Sequence, residues 1–416
     1  MIDIQYLTII WCSVFISYWF ANKTKMTPVL FYLLMGSVMV TVGLLPKEAT
    51  PFINGFAEFG IILIMFALGF EENPTIFVRS IKRSWGIAFF GALGPFLAAY
   101  FLALHLWQDQ NVAILVGLTM TATAVSLTMV VLKYEGLNMT KTATGIMTSA
   151  VLDDIASLVL VAAIIPLVTG DSGFTLVSIA TIGTKVGLFF LFVTFVGVVI
   201  FPGKESEGEG FLNKIFTRYG LHNILAFSDG RVATLAILTI ALVFGVLAHH
   251  LGLHPALGSY MAGLIMRKKY FYLTKRGEKI HTYKKTRKII DDVAYAWIGP
   301  VFFVNLGSKL YLDFDLVVSI LDTTLVLTFT IFVVQIISAA LAARYTGNFT
   351  FVESMMIGFG MLGRAELAFV VMDLGYAEYH IFSTEVFYTL MFTAFALNIC
   401  VPLTIRFWKP YFTGEK

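Results

Sequence analysis

An all-α polytopic membrane protein is the fold class this sequence predicts, and three observations carry the prediction. The 416 residues are 58% hydrophobic and only 13% charged, with a mean hydropathy of +0.83. That excess of apolar side chains points to lipid as the main solvent. The apolar residues gather into thirteen segments, most of them long enough to cross a bilayer as a helix. Basic residues alternate between rich and poor from one loop to the next, the pattern of a chain that repeatedly crosses a membrane.

The segments run at about 4–20, 28–45, 54–70, 84–106, 111–132, 142–168, 174–201, 231–249, 255–266, 290–308, 317–343, 350–373 and 383–407. Helices are the natural reading because lipid demands that backbone hydrogen bonds close within the segment, and the alternation of a membrane barrel is absent. The ninth segment is short and is expected to begin earlier, near Gly252. The N-terminal MIDIQYLTII has neither the basic start nor the small-residue cleavage site of a signal peptide, so the first segment reads as a retained helix. Cys12 and Cys400 sit alone in separate apolar segments and suggest neither a disulfide framework nor a metal site.

Loop charges predict the orientation. Lys23, Arg79, Lys82, Arg83, Lys133, Lys141, Lys204, Lys214, Arg218, Arg344, Arg406 and Lys409 fall on one side, together with the dense stretch from Arg267 to Lys288; the other side has Lys47 and Lys309. The positive-inside rule makes the rich side cytoplasmic, which puts the N-terminus outside and the C-terminus inside. A basic patch between two spans is better explained by anionic headgroups than by nucleic acid. The polar loop PGKESEGEGFLNKIFTRYG splits the spans into six, a seventh and six more, so that the second six run inverted relative to the first. Inverted halves with broken helices at the site are a common transporter plan.

The strongest chemical signal is Asp153-Asp154 in the sixth segment, about eleven residues or roughly 17 Å from its cytoplasmic edge. Carboxylates at that depth are costly and mark function more often than structure. Desolvation disfavours the charged form, and an adjacent like charge disfavours it further, so such a group can hold a proton near neutrality and still release it. Its oxygens also suit a hard cation. Competition between proton and cation for one carboxylate yields exchange without nucleotide hydrolysis. In the preceding segment, Thr119, Thr121, Thr123 and Ser126 are consistent with a locally unwound helix whose hydroxyls and carbonyls complete an oxygen shell. In the twelfth, Gly358, Gly360 and Gly363 permit a break beside Arg364 and Glu366. Arg364 there reads as a tie to Glu366 or to carbonyls, holding the break together, in preference to an ion contact. Lys185, Gln335 and Glu58 are open between packing and function. His249, His250 and His254 read as solvated loop residues.

Several stretches, taken in order, resemble the second family of the monovalent cation:proton antiporter superfamily: AEFGIILIMFALGFE, TATAVSLTMVVLKYEGL followed by AVLDDIASLVL, HPALGSYMAGLIM, GPVFFVNLG and GMLGRAELAFVV. The resemblance implies a thirteen-helix homodimer with an elevator core. Residues 1–83 and 231–310 would carry the dimerisation helices, 84–173 and 311–416 the core helices, and 174–230 a linker helix and cytoplasmic loop. It makes Asp154 the principal cation and proton ligand, with Asp153 beside it and oxygens from Thr123 and Ser126; Thr121, Gln335, Arg364 and Glu366 support the site. Aligned through ARYTG, the position at which the family often has a lysine is Gln335, which argues for electroneutral one-for-one exchange. Ala124 replaces a frequent serine. The Asp-Asp pair favours Na⁺, with Li⁺ tolerated, over K⁺.

The transported Na⁺ and H⁺ are the only ligands this reading requires, with no cofactor and no catalytic residue. Its partners are the lipid bilayer of the cell membrane and a second copy of the chain, with no nucleic acid. A K⁺/H⁺ antiporter and a sodium-coupled organic-anion symporter are the competing transporter readings. A channel would need a filter sequence, and a nucleotide-driven pump a GxxxxGK[ST] loop; neither occurs.

Overall fold

The computed structural model describes residues 2–24, 26–71, 74–137, 139–169, 233–251, 255–266, 271–275, 278–281, 283–311, 314–364 and 366–414, with scattered residues between 184 and 196. Most of the seventh segment, including Lys185, lies outside the described residues, as do the midpoint loop, residues 252–254 and the expected earlier start of the ninth segment.

Described helices cover the other apolar segments. They are α1 Ile2–Thr24, α2 Pro28–Thr41, α3 Pro51–Glu71, α4 Pro74–Trp107, α5 Gln110–Thr119, α6 Val125–Tyr134, α7 Lys141–Thr169, α8 Ala233–His250, α9 Pro255–Leu264, α10 Tyr283–Asp292, α11 Gly299–Ser308, α12 Phe314–Ser319, α13 Leu321–Tyr345, α14 Phe351–Gly360, α15 Glu366–Asp373 and α16 Thr384–Thr413. Wide π turns at Val293–Trp297 and Leu374–Glu378 extend α10 and α15. Among the described residues, seven helices are long and apolar enough to cross a membrane. The fifth and twelfth segments are each split into two half-helices.

The departure from an all-helical chain is a short antiparallel hairpin, β1 Tyr272–Lys275 with β2 Glu278–His281, in register from Tyr272 opposite His281 to Lys275 opposite Glu278. It falls in the basic stretch outside the apolar segments. Tyr, Thr and Ile favour strands there, and the sequence between the strands, Arg276-Gly277, is short enough for a tight turn.

Sequence accounts for the element starts that frame the site. The Asp109 carboxylate caps α5, accepting from Asn111 N at 2.7 Å and Val112 N at 3.1 Å. A reciprocal capping box opens α14, Glu353 accepting from Thr350 N at 2.8 Å while Thr350 Oγ1 accepts from Glu353 N. Ser383 Oγ accepts from Val386 N to cap α16.

The chain divides into two compact units. The first comprises Met1–Val14, Glu48–Asn73 and Ile165–Asn305. In it α3 packs on α9, and α9 on α8, with backbones so close that a Cβ on Gly258 would lie 2.1 Å from Phe244 O. Only glycine permits that approach. Ser259 Oγ donates to Ile62 O at 2.9 Å across the α9–α3 contact. The second unit comprises Phe15–Lys47, Pro74–Ile164 and Leu306–Lys416. Here α13 packs against α4, α14 and α16, and α4 against α5.

At one end of the second unit, Glu135, just past α6, accepts from Arg406 Nε at 2.9 Å and Lys409 Nζ at 3.1 Å, both on α16. Burial pushes the Glu135 carboxyl up, but the two hydrogen-bonded cations prevail and hold it below the ordinary carboxylate range. A depressed folded-state value stabilises the fold above the unfolded carboxylate's range and is lost as pH falls through the folded value. Glu135→Gln therefore lowers stability near pH 7 by about 1 kcal/mol. Thermal unfolding in detergent checks this: the gap between variant and parent closes as pH falls below about 4.

Candidate functional site

The site is built where the two broken helices cross. Threonine hydroxyls compete with the helix for backbone partners, and four threonines fall within residues 119–128. Thr119 Oγ1 donates back to Leu115 O at 2.8 Å and Thr121 Oγ1 to Leu118 O at 2.7 Å, and the helix stops at Thr119. In the second break α14 ends at Gly360 and α15 begins at Glu366. Glycines at 358, 360 and 363 make that run poorly suited to continuous helix.

The two unwound segments satisfy each other. Ala124 N donates to Gly363 O at 2.9 Å, and Thr128 Oγ1 donates to Gly360 O at 2.6 Å. A Cβ on Gly363 would lie 2.9 Å from the Ala124 Cβ and 3.0 Å from Asn398 Oδ1, so the crossing closes only with glycine there and a small residue at 124.

Facing this crossing is α7. Asp153 lies twelve residues from its Lys141 start, about 18 Å along the axis, and is fully buried. Its Oδ2 accepts from Thr123 Oγ1 at 3.0 Å. Its Oδ1 is buried and has no hydrogen-bond partner among the described residues. One turn further along α7, Ser157 Oγ pairs with Thr121 Oγ1 at 3.1 Å. A carboxylate oxygen, two threonine hydroxyls and a serine hydroxyl thus line one face of the unwound segment. These are hard oxygen donors, the set an alkali cation or a proton takes.

Arg364 is also fully buried and supplies the positive charge of the second break. Its Nη1 donates to the carbonyls of Met361 (3.3 Å), Leu362 (3.2 Å) and Gly363 (3.1 Å), and its Nη2 to Gln335 Oε1 at 2.8 Å. Gln335, buried on α13, spends its amide on Gly91 O of α4 at 3.0 Å. The guanidinium is within electrostatic reach of Asp153. Asn398 of α16 grips the same residue by its backbone, Oδ1 accepting from Arg364 N and Nδ2 donating to Arg364 O, both at 2.8 Å.

Of the residues picked from sequence, Thr121, Thr123 and Asp153 form one cluster, and Gln335 and Arg364 form a second network. The side chains of Ser126, Asp154 and Glu366 lie outside the described residues. His249 and His250 are exposed at the end of α8, and Glu58 is exposed on α3; His254 lies outside the described residues. Sequence reasoning passed over Ser157, Thr128 and Asn398. Ser157 was findable as the residue four positions, one helical turn, after Asp153, and Asn398 as a lone amide in the apolar run LMFTAFALNICVPL.

The sodium/hydrogen exchanger transmembrane family model matches residues 11–408, and the chain belongs to that family. A probable Na⁺/H⁺ antiporter of Bacillus cereus is 27% identical over 325 residues, covering 78% of this chain and 77% of its own length. A Na⁺/H⁺ antiporter of Enterococcus hirae is 25% identical over 380 residues, covering 90% of each. A solved structure of a sodium proton antiporter from Methanocaldococcus jannaschii at pH 8 has the same fold, with a TM-score of 0.72, 17% identity and coverage of 98% of this chain and 99% of the other. The chain is therefore a multi-pass membrane transporter rather than an enzyme.

Asn398→Ala leaves a buried backbone donor and acceptor at Arg364 unsatisfied and costs about 3 kcal/mol. Thr404→Ala on the same helix removes a hydroxyl bonded only to its own helix, at Cys400 O and Val401 O, and costs less than about 0.5 kcal/mol. Thermal unfolding of the two variants in one detergent checks the contrast.

Proposed function

We propose that this chain exchanges Na⁺ for H⁺ across the cell membrane, with Li⁺ as an accepted substitute, by competition of cation and proton for the aspartates of α7. The observation that carries the reading is the buried carboxylate of Asp153, hydrogen-bonded to Thr123 at 3.0 Å on one oxygen and unpartnered on the other among the described residues, opposite two crossed breaks. Asp154 is the principal ligand, with Asp153, Thr123 and Ser126 completing the oxygen shell. When a proton leaves, the carboxylate takes the cation; when a proton returns, the cation's strongest ligand is neutralised and the cation departs. Both family membership and the relatives described above as Na⁺/H⁺ antiporters favour this exchange.

Gln335 carries no charge, so the core offers Asp154 one titrating role and the exchange is one Na⁺ for one H⁺. Residues 84–173 and 311–416, which carry both breaks and α7, act as the moving core of an elevator within a homodimer. The basic loops face the cytoplasm, the N-terminus lies outside and the C-terminus inside.

Proteoliposomes with a lumenal pH dye test the proposal. Pulses of Na⁺ and Li⁺ move protons, K⁺ does so at least tenfold less well, Asp154→Asn abolishes the signal, and clamping the membrane potential leaves the rate unchanged. A response to K⁺ alone would sink the choice of ion; a rate that follows the potential would sink the stoichiometry. If no cation moves protons in folded protein, exchange itself is refuted.

A further inference from the structure

The first unit ends its α3 on an aromatic cluster. Phe70, Phe271 and Tyr283 meet with ring centroids 5.7, 5.4 and 5.3 Å apart. Tyr283 is the first residue of α10, so the cluster pins the start of that helix. Burial of Tyr283, Thr286 and Ile290 defines its inner face. The opposite face is basic, with Lys284, Lys285 and Lys288 exposed to the surroundings. Arg287 is engaged with Asp291, one turn on, at 3.5 Å. The first turn of α10 holds no acidic residue, and the positive end of the helix dipole adds to the lysine charge instead of offsetting it.

The sequence after α10 puts this face beside a membrane-crossing stretch. The membrane-crossing stretch Tyr283–Ser308 opens on the polar turns YKKTRKIIDD, so the lysines stand just before its apolar part, where basic residues meet headgroups. Lysines held on a pinned helix at that depth are fixed in place, and their charge is complementary to an anionic headgroup and indifferent to a zwitterionic one. We infer that the Lys284–Lys285–Lys288 face of α10 is a binding surface for anionic phospholipid headgroups. Each lysine near a charged bilayer surface strengthens that attraction by roughly fivefold, so the three together reach about a hundredfold. The inference is independent of which cation the chain carries.

Thermal unfolding in micelles containing phosphatidylcholine, alone or mixed with phosphatidylglycerol, tests it. Phosphatidylglycerol raises the unfolding midpoint of the parent above that in phosphatidylcholine, and high salt removes most of the increment. In the K284Q/K285Q/K288Q variant the increment falls by roughly half or more, while the phosphatidylcholine value and the proton-exchange rate in neutral liposomes stay at parental levels. The K284R/K285R/K288R variant retains the increment. An undiminished increment in the glutamine variant overturns the inference. So does an equal shift from inorganic phosphate, which would make the surface a general anion site, or displacement of the lipid effect by a DNA duplex.

Discussion

A backbone that leaves helical geometry inside a bilayer must find partners for every group it frees, because no bulk water is there to supply them. Much of the second unit follows from that constraint. Breaking one helix at residues 120–124 frees amides and carbonyls; breaking another at 361–364 does the same, and bringing the two breaks together lets each serve the other. The Ala124 to Gly363 hydrogen bond is the point of closure. It requires near contact of two main chains, which requires glycine at 363 and a small side chain at 124. Side chains take up further groups: Thr128 of α6 for Gly360, Asn398 of α16 for both backbone groups of Arg364, and Arg364, within the break, for three carbonyls.

The charges follow the same logic. The Arg364 guanidinium sits on the carbonyls of residues 361–363, just beyond the end of α14 and near the negative pole of that half-helix, where a cation is favoured. Asp153 lies against the other break, one oxygen committed to Thr123. Two fully buried ionisable groups are thus each tied to a different unwound segment, Asp153 through the Thr123 hydroxyl and Arg364 through main-chain carbonyls. Burying either charge without its hydrogen bonds would cost several kcal/mol. The geometry of the site and the stability of the fold are consequently one problem at this crossing.

Most of the architecture was legible because lipid makes the code simple: apolar length marks helices, and a midspan Asp pair stands out where carboxylates are costly. The breaks were legible too, through a Thr-rich run and a Gly-rich run in corresponding places. The ties between them were not. Asn398 and Ser157 look like ordinary polar residues in apolar helices, and their role exists only once α16 and α7 are placed against the breaks. Gln335 was noticed as the absence of a charge, whereas in the fold its importance is positive, as a bridge from Gly91 of α4 to Arg364. The hairpin at 272–281 was missed because an apolar-segment scan reads a basic stretch only as charge.

That bridge makes positions 335 and 364 interdependent. An amide both donates and accepts, so Gln335 can give its N–H to Gly91 O while its oxygen receives Arg364 Nη2. A lysine at 335 has three donors and no acceptor. It would retain the bond to Gly91 O, lose the one to Arg364, and set an ammonium against a guanidinium where both positions are fully buried. Like charges in a low-dielectric interior repel strongly, and moving the arginine away would break its bonds to three carbonyls. In this background Gln335→Lys therefore destabilises the fold, by about 3 kcal/mol or more, and pairing it with Arg364→Gln recovers much of the loss. Such recovery, read as non-additivity of the two unfolding midpoints, would mean that the glutamine belongs to the arginine's network and is not simply a vacancy where another chain keeps a charge.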